Sequence, residues 1–138
     1  MPKIKRIDHI AIVVDDIECA LVFWRDALGL ELDHVEDVPE QKSRVAFLPV
    51  GEGKVELVEP TSDDSGVARY LKKHGPGMHH ICLQVEALDS ALAELTAKGV
   101  QLINDTPLEG SGGKRLAFIH PKSTQGVLVE LYELNQES

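Results

Sequence analysis

The sequence predicts an α+β fold in which two tandem βαβββ modules form a curved, mixed eight-stranded sheet. The first observation behind this prediction is an internal repeat. Residues 7–32 and 78–103 share one plan: a strand with a histidine near its start, acidic turn residues, an amphipathic helix, a glycine and another strand. The second observation is that the rest of each half alternates apolar and polar residues, which is the period of a strand. The length of 138 residues suits a single domain, residues 1–138.

Module one is predicted to span residues 4–60. Its first strand reads "RIDHIAIVV", and a helix follows over 17–28, with Asp16 as N-cap and Gly29 as C-cap. Strands over 43–50 and 54–60 are joined by the turn "GEG". Together with the strand that ends the repeat at residue 32, the module reads strand, helix and three strands.

Module two repeats the plan over residues 78–134, after a linker over 61–77 whose short helix Ser65 caps. Its helix is predicted over 88–98 and ends at Gly99, and its last strands are predicted over 112–121 and 127–134. One such unit cannot cover its sheet alone, so the two copies are expected to form one sheet.

Composition and charge exclude several classes of partner. The net charge is −9, and no basic stripe is present, which argues against nucleic acid and against a general attraction to anionic membranes. The apolar run near the N-terminus is too short for a membrane span and lacks the features of a signal peptide, so the cytoplasm is the expected compartment. Cys19 and Cys82 are expected to be buried, reduced thiols.

Four polar residues recur in pairs at matching positions of the two modules. His9 and His80 are 71 residues apart and Glu56 and Glu130 are 74 apart, the difference being absorbed by a longer turn. Each interrupts a run of apolar residues in its strand, so each side chain is expected to point away from its apolar neighbours. A single histidine or glutamate of this kind is usually structural. The paired recurrence predicts instead a site for a divalent metal such as Zn, Co, Ni, Mn or Fe(II), around which the sheet curves.

The tandem histidines of "GMHHICLQV" cannot share one role, because successive side chains of a strand point to opposite faces. We take His80 as the ligand and His79 as the residue on the other face or near the linker. His34, His74 and His120 have no counterpart in the other module. The loop "GSGGKR" over 110–115 is a strand connection whose amides and basic side chains could also meet phosphates.

With these features in hand, the chain resembles the vicinal oxygen chelate (glyoxalase/bleomycin-resistance/dioxygenase) superfamily. Within it, the chain is similar to the methylmalonyl-CoA epimerase family over essentially its full length. The stretches that carry the resemblance are "RIDHIAIVV", "PEQ", "VELVEP", "TSDDSGVARYLKKHGPGMHHICLQV" and "GSGGKRLAFIHPKSTQGVLVEL".

The resemblance implies an isomerase of propionate metabolism that interconverts the C2 configurations of methylmalonyl-CoA. The proton would leave and return through a metal-stabilised enolate. The resemblance also implies His9, His80 and Glu130 as metal ligands, with Glu56 at a fourth ligand position where family members often have glutamine. Glu130 matches the acid/base carboxylate. The family further leads us to expect a homodimer.

One departure from the family leaves a catalytic group unassigned. Some members carry a second acid/base glutamate where this chain has Val45, which cannot transfer a proton. A metal-bound water, Glu56 or Glu40, and Lys114 are open alternatives for that group.

Three other functions are alternatives on the same scaffold. A glyoxalase I-type lyase acting on a glutathione hemithioacetal would use the same four ligands and a similar proton transfer. A non-catalytic ligand-binding member would lack the metal set, so the four paired residues argue against it. An extradiol dioxygenase would leave Glu56 without a ligand role.

Overall fold

The computed structural model describes residues 1–110 and 113–134. Its strands belong to one mixed sheet with the order β2-β3-β4-β1-β5-β8-β7-β6, which confirms the predicted eight-stranded α+β fold class. Among the described residues no helix is both long enough and apolar enough to span a membrane. The elements are β1 (Ile4–Val13), α1 (Ile17–Leu21), β2 (His34–Val38), β3 (Ser43–Val50), β4 (Gly53–Pro60), α2 (Gly66–His74), β5 (Gly77–Val85), α3 (Leu88–Ala97), β6 (Leu108–Glu109), β7 (Lys114–Ile119) and β8 (Val129–Leu134).

The chain divides into two compact units that cut across the first strand. The N-terminal unit is His9–His79, and the C-terminal unit combines Met1–Asp8 with the chain from His80 onward. β1 therefore contributes residues 4–8 to the C-terminal unit and residues 9–13 to the N-terminal unit.

In the N-terminal unit, β1 pairs with β4 in parallel, and β3 pairs antiparallel with both β4 and β2. Apolar side chains from alternate strand positions face α1 and form a core with it. The opposite face carries a second apolar cluster, which includes Val67 of α2. The first core is Val14, Ile17, Leu21, Ala46, Leu48 and Leu57, and the second cluster is Ala11, Val45 and Val58 with Val38, Phe47 and Val67 around it.

The C-terminal unit repeats this pattern. β5 pairs with β8 in parallel, while β7 pairs antiparallel with β8 and with β6. α3 covers one face through a core that excludes water from the sheet. The buried residues of this core are Val85, Leu88, Leu92, Ala117, Ile119 and Leu131.

The helix starts show capping that repeats between the units. Asp16 caps α1 as predicted, since its carboxylate accepts from the backbone N–H groups of Glu18 and Cys19 at 2.8 and 3.3 Å. A glutamate near the end of the last strand also accepts from the first residue of each helix. Glu59 accepts from the amide of Ile17 at 2.8 Å, and Glu133 accepts from the amide of Leu88 at 2.7 Å. Each carboxylate thereby fixes its helix to the strand that carries it.

The helix predicted over 17–28 is divided. α1 ends at Leu21, and Val22–Ala27 is a π-helical segment whose wider turn is seen in the bond from the Leu28 amide to the Phe23 carbonyl, 2.8 Å. Phe23 is 54% exposed, so the segment presents apolar side chains to solvent. α3 ends at Ala97, one residue before the predicted end.

The strand predicted after α3, up to residue 103, does not form. Leu102 makes only an isolated bridge to Ile119, and the edge strand is β6, two residues long. The reason is visible at the next position. The side chain of Asn104 accepts from the amide of Phe118 at 2.8 Å, so a side chain takes the place of a backbone carbonyl and the ladder stops.

The last two strands are shorter than predicted. β7 begins at Lys114, and residue 112 of the predicted strand lies outside the described residues. β8 begins at Val129 because the amide of Val127 donates to the hydroxyl of Thr124 at 3.0 Å, which holds that segment in the turn. The linker helix is confirmed: Ser65 accepts from the amide of Ala68 at 3.0 Å and α2 begins at Gly66.

Candidate active site

The N-terminal unit holds a histidine and a glutamate side by side on its first and last strands. The parallel register places Ala11 of β1 opposite Glu56 of β4, so His9, two residues earlier, lies diagonal to that glutamate on the same face. The His9 Nδ1 and Glu56 Oε2 atoms are 3.3 Å apart. Both side chains are largely buried, His9 at 7% and Glu56 at 13% exposure.

The C-terminal unit contains the same arrangement. Cys82 of β5 lies opposite Glu130 of β8, and His80 is again two residues earlier. The His80 Nε2 and Glu130 Oε1 atoms are 3.1 Å apart, with side-chain exposures of 14% and 11%. On the other side of each glutamate stands a phenylalanine, Phe47 of β3 opposite Glu56 and Phe118 of β7 opposite Glu130. The repeat seen in the sequence is therefore a repeat of strand register.

The atoms of each pair are spaced as neighbouring ligands of one ion would be. Metal–nitrogen and metal–oxygen bonds of about 2.1 Å at a right angle separate the two ligand atoms by about 3 Å. The observed separations of 3.3 and 3.1 Å are close to that value, so neither pair would need to move apart or together to bind a metal. Imidazole and carboxylate groups that are mostly buried are also the donors that divalent transition metals use. The side chains therefore fit the predicted cofactor, and their role as ligands stays a prediction.

His79 lies in a different environment from His80. Its ring stands edge-on to the ring of Tyr70 in α2, with 4.9 Å between the ring centroids. The Tyr70 hydroxyl donates to the backbone carbonyl of Met78 at 2.7 Å, which fixes the linker helix against this end of β5. The environment of His79 is thus that of a packing residue beside the linker.

The C-terminal unit also carries a buried polar network that the sequence analysis missed. The hydroxyl of Tyr132 donates to Asp8 at 2.7 Å, and Arg6 Nε donates to the side-chain carbonyl of Gln84 at 2.7 Å. Arg6 also lies 3.6 Å from Asp8, and Lys114 Nζ lies 4.8 Å from the centre of the Tyr132 ring. Burial, together with the hydrogen bond to Asp8, raises the pKa of Tyr132 above its ordinary value. The Tyr132 hydroxyl therefore stays protonated as a donor.

The network escaped prediction because β1 does not alternate regularly. Asp8 and His9 are consecutive and both are buried, with 2% and 6% of the whole residue exposed, so the buried positions change parity between them. A strict period of two places Asp8 on the face away from His9 and makes it look like a solvent residue. The position of Tyr132 could have been predicted, since it follows Glu130 by two positions and therefore lies on the same face of the strand.

The weaker sequence candidates have structural partners. Arg115 is paired with Asp89 at 3.0 Å and with Glu133 at 3.5 Å, and His120 accepts from the amide of Lys122 at the start of a short turn. Residues 111 and 112 of the glycine-rich loop lie outside the described residues. Val45 is buried, at 4% exposure, in the apolar cluster next to Phe47. Of the two cysteines, Cys82 is buried as expected, whereas the expectation for Cys19 is wrong because that residue is exposed.

His34 is held more firmly than an ordinary surface histidine. Its ring stacks on Phe47 with 4.5 Å between centroids and 19° between planes. Nδ1 lies 2.5 Å from the carboxylate of Asp33, and Nε2 lies 3.0 Å from that of Glu36. These two hydrogen bonds raise the pKa of His34 above its ordinary value.

The fold and the two histidine–carboxylate pairs define a class of protein. Residues 8–118 match the model of the Glyoxalase/Bleomycin resistance protein/Dioxygenase superfamily, and the chain belongs to this superfamily. Within it, the chain belongs to the family of the methylmalonyl-CoA epimerases, with which it shares more than a third of its residues over nearly its whole length.

Three relatives illustrate this similarity. The mitochondrial methylmalonyl-CoA epimerase of Mus musculus is 38% identical over 94% of this chain and 73% of its own length. The ethylmalonyl-CoA/methylmalonyl-CoA epimerase of Cereibacter sphaeroides is 36% identical over 95% of this chain and 99% of its own. A solved methylmalonyl-CoA epimerase in complex with methylmalonyl-CoA and NH4+ is 38% identical, with a TM-score of 0.86 over 96% of each chain. A lactoylglutathione lyase of Arabidopsis thaliana is more distant, at 27% identity.

The buried network predicts a measurable difference between two tyrosines. Tyr132→Phe should lower the free energy of unfolding by about 2 kcal/mol, because it removes a donor from a buried carboxylate. Tyr70→Phe is the matched control. It removes an exposed bond to a backbone carbonyl and should cost about 0.5 kcal/mol. Urea unfolding followed by circular dichroism measures both, and equal losses would contradict the assigned importance of the Tyr132–Asp8 bond.

Proposed function

We propose that this protein is a methylmalonyl-CoA epimerase, an isomerase that inverts the C2 configuration of its substrate. The observation that carries the proposal is the repeated diagonal pair, His9 with Glu56 and His80 with Glu130, in a chain of the epimerase family. The lyase alternative has less support, since the lyase relative is only 27% identical and this chain spans 44% of its length.

We further propose that both pairs bind the same divalent ion, for which Co, Zn, Ni and Mn are candidates. His9, His80 and Glu130 would be ligands, and Glu56 would occupy the fourth position. Such an ion would stabilise the negative charge that develops when the C2 proton leaves. The His–Glu separations of about one hydrogen bond and the burial of all four side chains support this assignment.

Glu130 is the proposed acid/base residue on one face of the substrate. A carboxylate that binds a metal through one oxygen retains the other oxygen to accept a proton. The C2 hydrogen is acidic because it lies between a thioester and a carboxylate, so a carboxylate base within reach can remove it. The burial of Glu130, at 11% side-chain exposure, keeps water from competing for that position.

We propose that this enzyme acts in propionate metabolism, because methylmalonyl-CoA is its proposed substrate. We also propose that it is cytoplasmic and has no nucleic-acid or membrane partner. The net charge of −9 supports this, because a negatively charged protein is repelled by nucleic acid and by anionic membranes.

Exchange of the C2 proton tests the function directly. In D2O, purified protein should introduce deuterium at C2 of methylmalonyl-CoA and interconvert its two configurations. Proton NMR measures both changes. The glutathione hemithioacetal of methylglyoxal is the comparison substrate. Turnover of the hemithioacetal, without exchange in methylmalonyl-CoA, would establish the lyase instead.

The metal assignment predicts different behaviour for the adjacent histidines. Protein loaded with a divalent metal should bind about one ion per chain, and His80→Ala should weaken that binding on the order of 10-fold or more. His79→Ala is the matched control and should leave the metal content unchanged, because its ring packs on Tyr70. Metal analysis after dialysis would refute the assignment if only the control lost the ion.

We also propose a homodimer. Exposed apolar side chains just after α1, with Val22 at 61% and Phe23 at 54% exposure, support an interface at this surface. Sedimentation should show twice the 15.1 kDa mass of one chain at micromolar concentration. Phe23→Ser should shift the protein toward the monomer, and a wild-type protein that sediments only as a monomer would rule the dimer out.

A further inference from the structure

The substrate's second face requires a proton-transfer group that Val45 cannot be. An epimerase must remove a proton from one side of C2 and return one to the other side. Glu130 can serve one side only. Val45 is an apolar side chain at 4% exposure in the cluster with Ala11 and Val58, so no proton can be exchanged there.

The strand next to Val45 carries titratable groups on the same face. In the antiparallel pairing of β2 with β3, His34 lies opposite Phe47 and Glu36 lies opposite Val45. Phe47 in turn lies opposite Glu56 of β4. His34, Phe47 and Glu56 therefore form one row across three adjacent strands, all on one face of the N-terminal unit.

We propose that His34 is the second acid/base residue of the epimerase. This inference rests on the proposed function. Adjacent strands lie about 4.8 Å apart, so the backbone of His34 is on the order of 10 Å from that of Glu56. Phe47 lies between the two in this row, and the His34 ring stacks on it with 4.5 Å between the ring centroids.

The surroundings of His34 suit a proton donor. Asp33 binds Nδ1 at 2.5 Å and fixes the ring, which leaves Nε2 as the working nitrogen. Glu36 is the resting partner of Nε2 at 3.0 Å and is 47% exposed, so it can turn toward solvent when substrate arrives. The two carboxylates beside its ring nitrogens favour the protonated ring, and their hydrogen bonds raise the pKa of His34 above its ordinary value.

The charges around His34 come from its own segment. Asp33 and Glu36 face its two ring nitrogens. β2 is an edge strand, and its neighbour β3 presents the uncharged ring of Phe47 to His34. Arg44 of β3 is paired with Asp37 at 3.4 Å. Removing the carboxylate of Asp33 should therefore lower the pKa of His34.

The proton balance of the step is simple. Glu130 takes the C2 proton of one configuration, and its carboxylate becomes a carboxylic acid. His34 Nε2–H gives its proton to the other side of the planar carbanion, and the imidazolium becomes neutral imidazole. No other bond forms or breaks. Exchange with solvent restores both groups, and the reverse reaction uses them with acid and base interchanged.

The test follows deuterium exchange at C2 from each configuration of methylmalonyl-CoA separately, in metal-loaded protein. His34→Gln should lose exchange from the configuration whose proton His34 removes, by about 100-fold or more, and keep exchange from the other. Glu130→Gln, compared at equal metal occupancy, should show the opposite preference. His74→Gln is the matched control, since His74 also lies against an aromatic ring, that of Tyr70, and should exchange both configurations at the wild-type rate.

A pH profile separates a catalytic role from a structural one. The reaction direction that uses His34 as the acid should slow as pH rises through the pKa of His34. Asp33→Asn should move this fall in rate to lower pH, and the NMR titration of the His34 ring should move in the same direction. If His34 has only a structural role, the pH at which the rate falls should not change.

The outcomes distinguish this inference from the function on which it rests. Wild-type protein that exchanges neither configuration overturns the proposed function. Active wild-type protein with a His34→Gln variant that exchanges both configurations at the wild-type rate, or loses both equally with its metal intact, overturns the role of His34 alone.

Discussion

Parallel pairing between the first and last strands of each repeat is the constraint on which the site depends. In both units the histidine stands two residues before the position that lies opposite the glutamate. This diagonal places imidazole and carboxylate within 3.3 Å in one unit and 3.1 Å in the other. The registers of the third strands agree as well, since each puts a phenylalanine opposite the glutamate. A shift of one residue in either parallel pair would turn the glutamate toward the helix core.

The helices depend on the same last strands. Glu59 follows Glu56 by three positions, and Glu133 follows Glu130 by three, so in each strand the capping carboxylate points to the face opposite the site. One strand thus presents a carboxylate to the site and another to the start of the helix on the other face. This arrangement couples the placement of the helix to that of the proposed ligand, since movement of the strand would disturb both.

The two repeats differ in what surrounds their pairs. In the N-terminal unit the face of His9 and Glu56 continues into buried apolar residues, including Val45 and Val58. In the C-terminal unit the strand carrying Glu130 continues into Tyr132, whose hydroxyl binds the buried Asp8. The internal repeat accounts for the symmetric pairs, while these differing neighbours give each half its own chemistry. The row of His34 and Phe47 is also a feature in which the repeats differ, because the other repeat has no histidine at the corresponding position.

The sequence by itself determined the repeat, the fold class and the four residues of the two pairs, because strand alternation and equal spacing are properties of the chain alone. It also determined the Asp16 and Ser65 caps, which depend on contacts only a few residues long. The tertiary structure decided what depends on distant partners or on broken periodicity. Asp8 is buried against Tyr132, which is 124 positions away in the chain, and the strand after α3 is lost because the Asn104 side chain replaces a backbone acceptor. His34 shares a row with Glu56 through two antiparallel registers, and registers are set by packing between strands, which no local pattern in the sequence specifies.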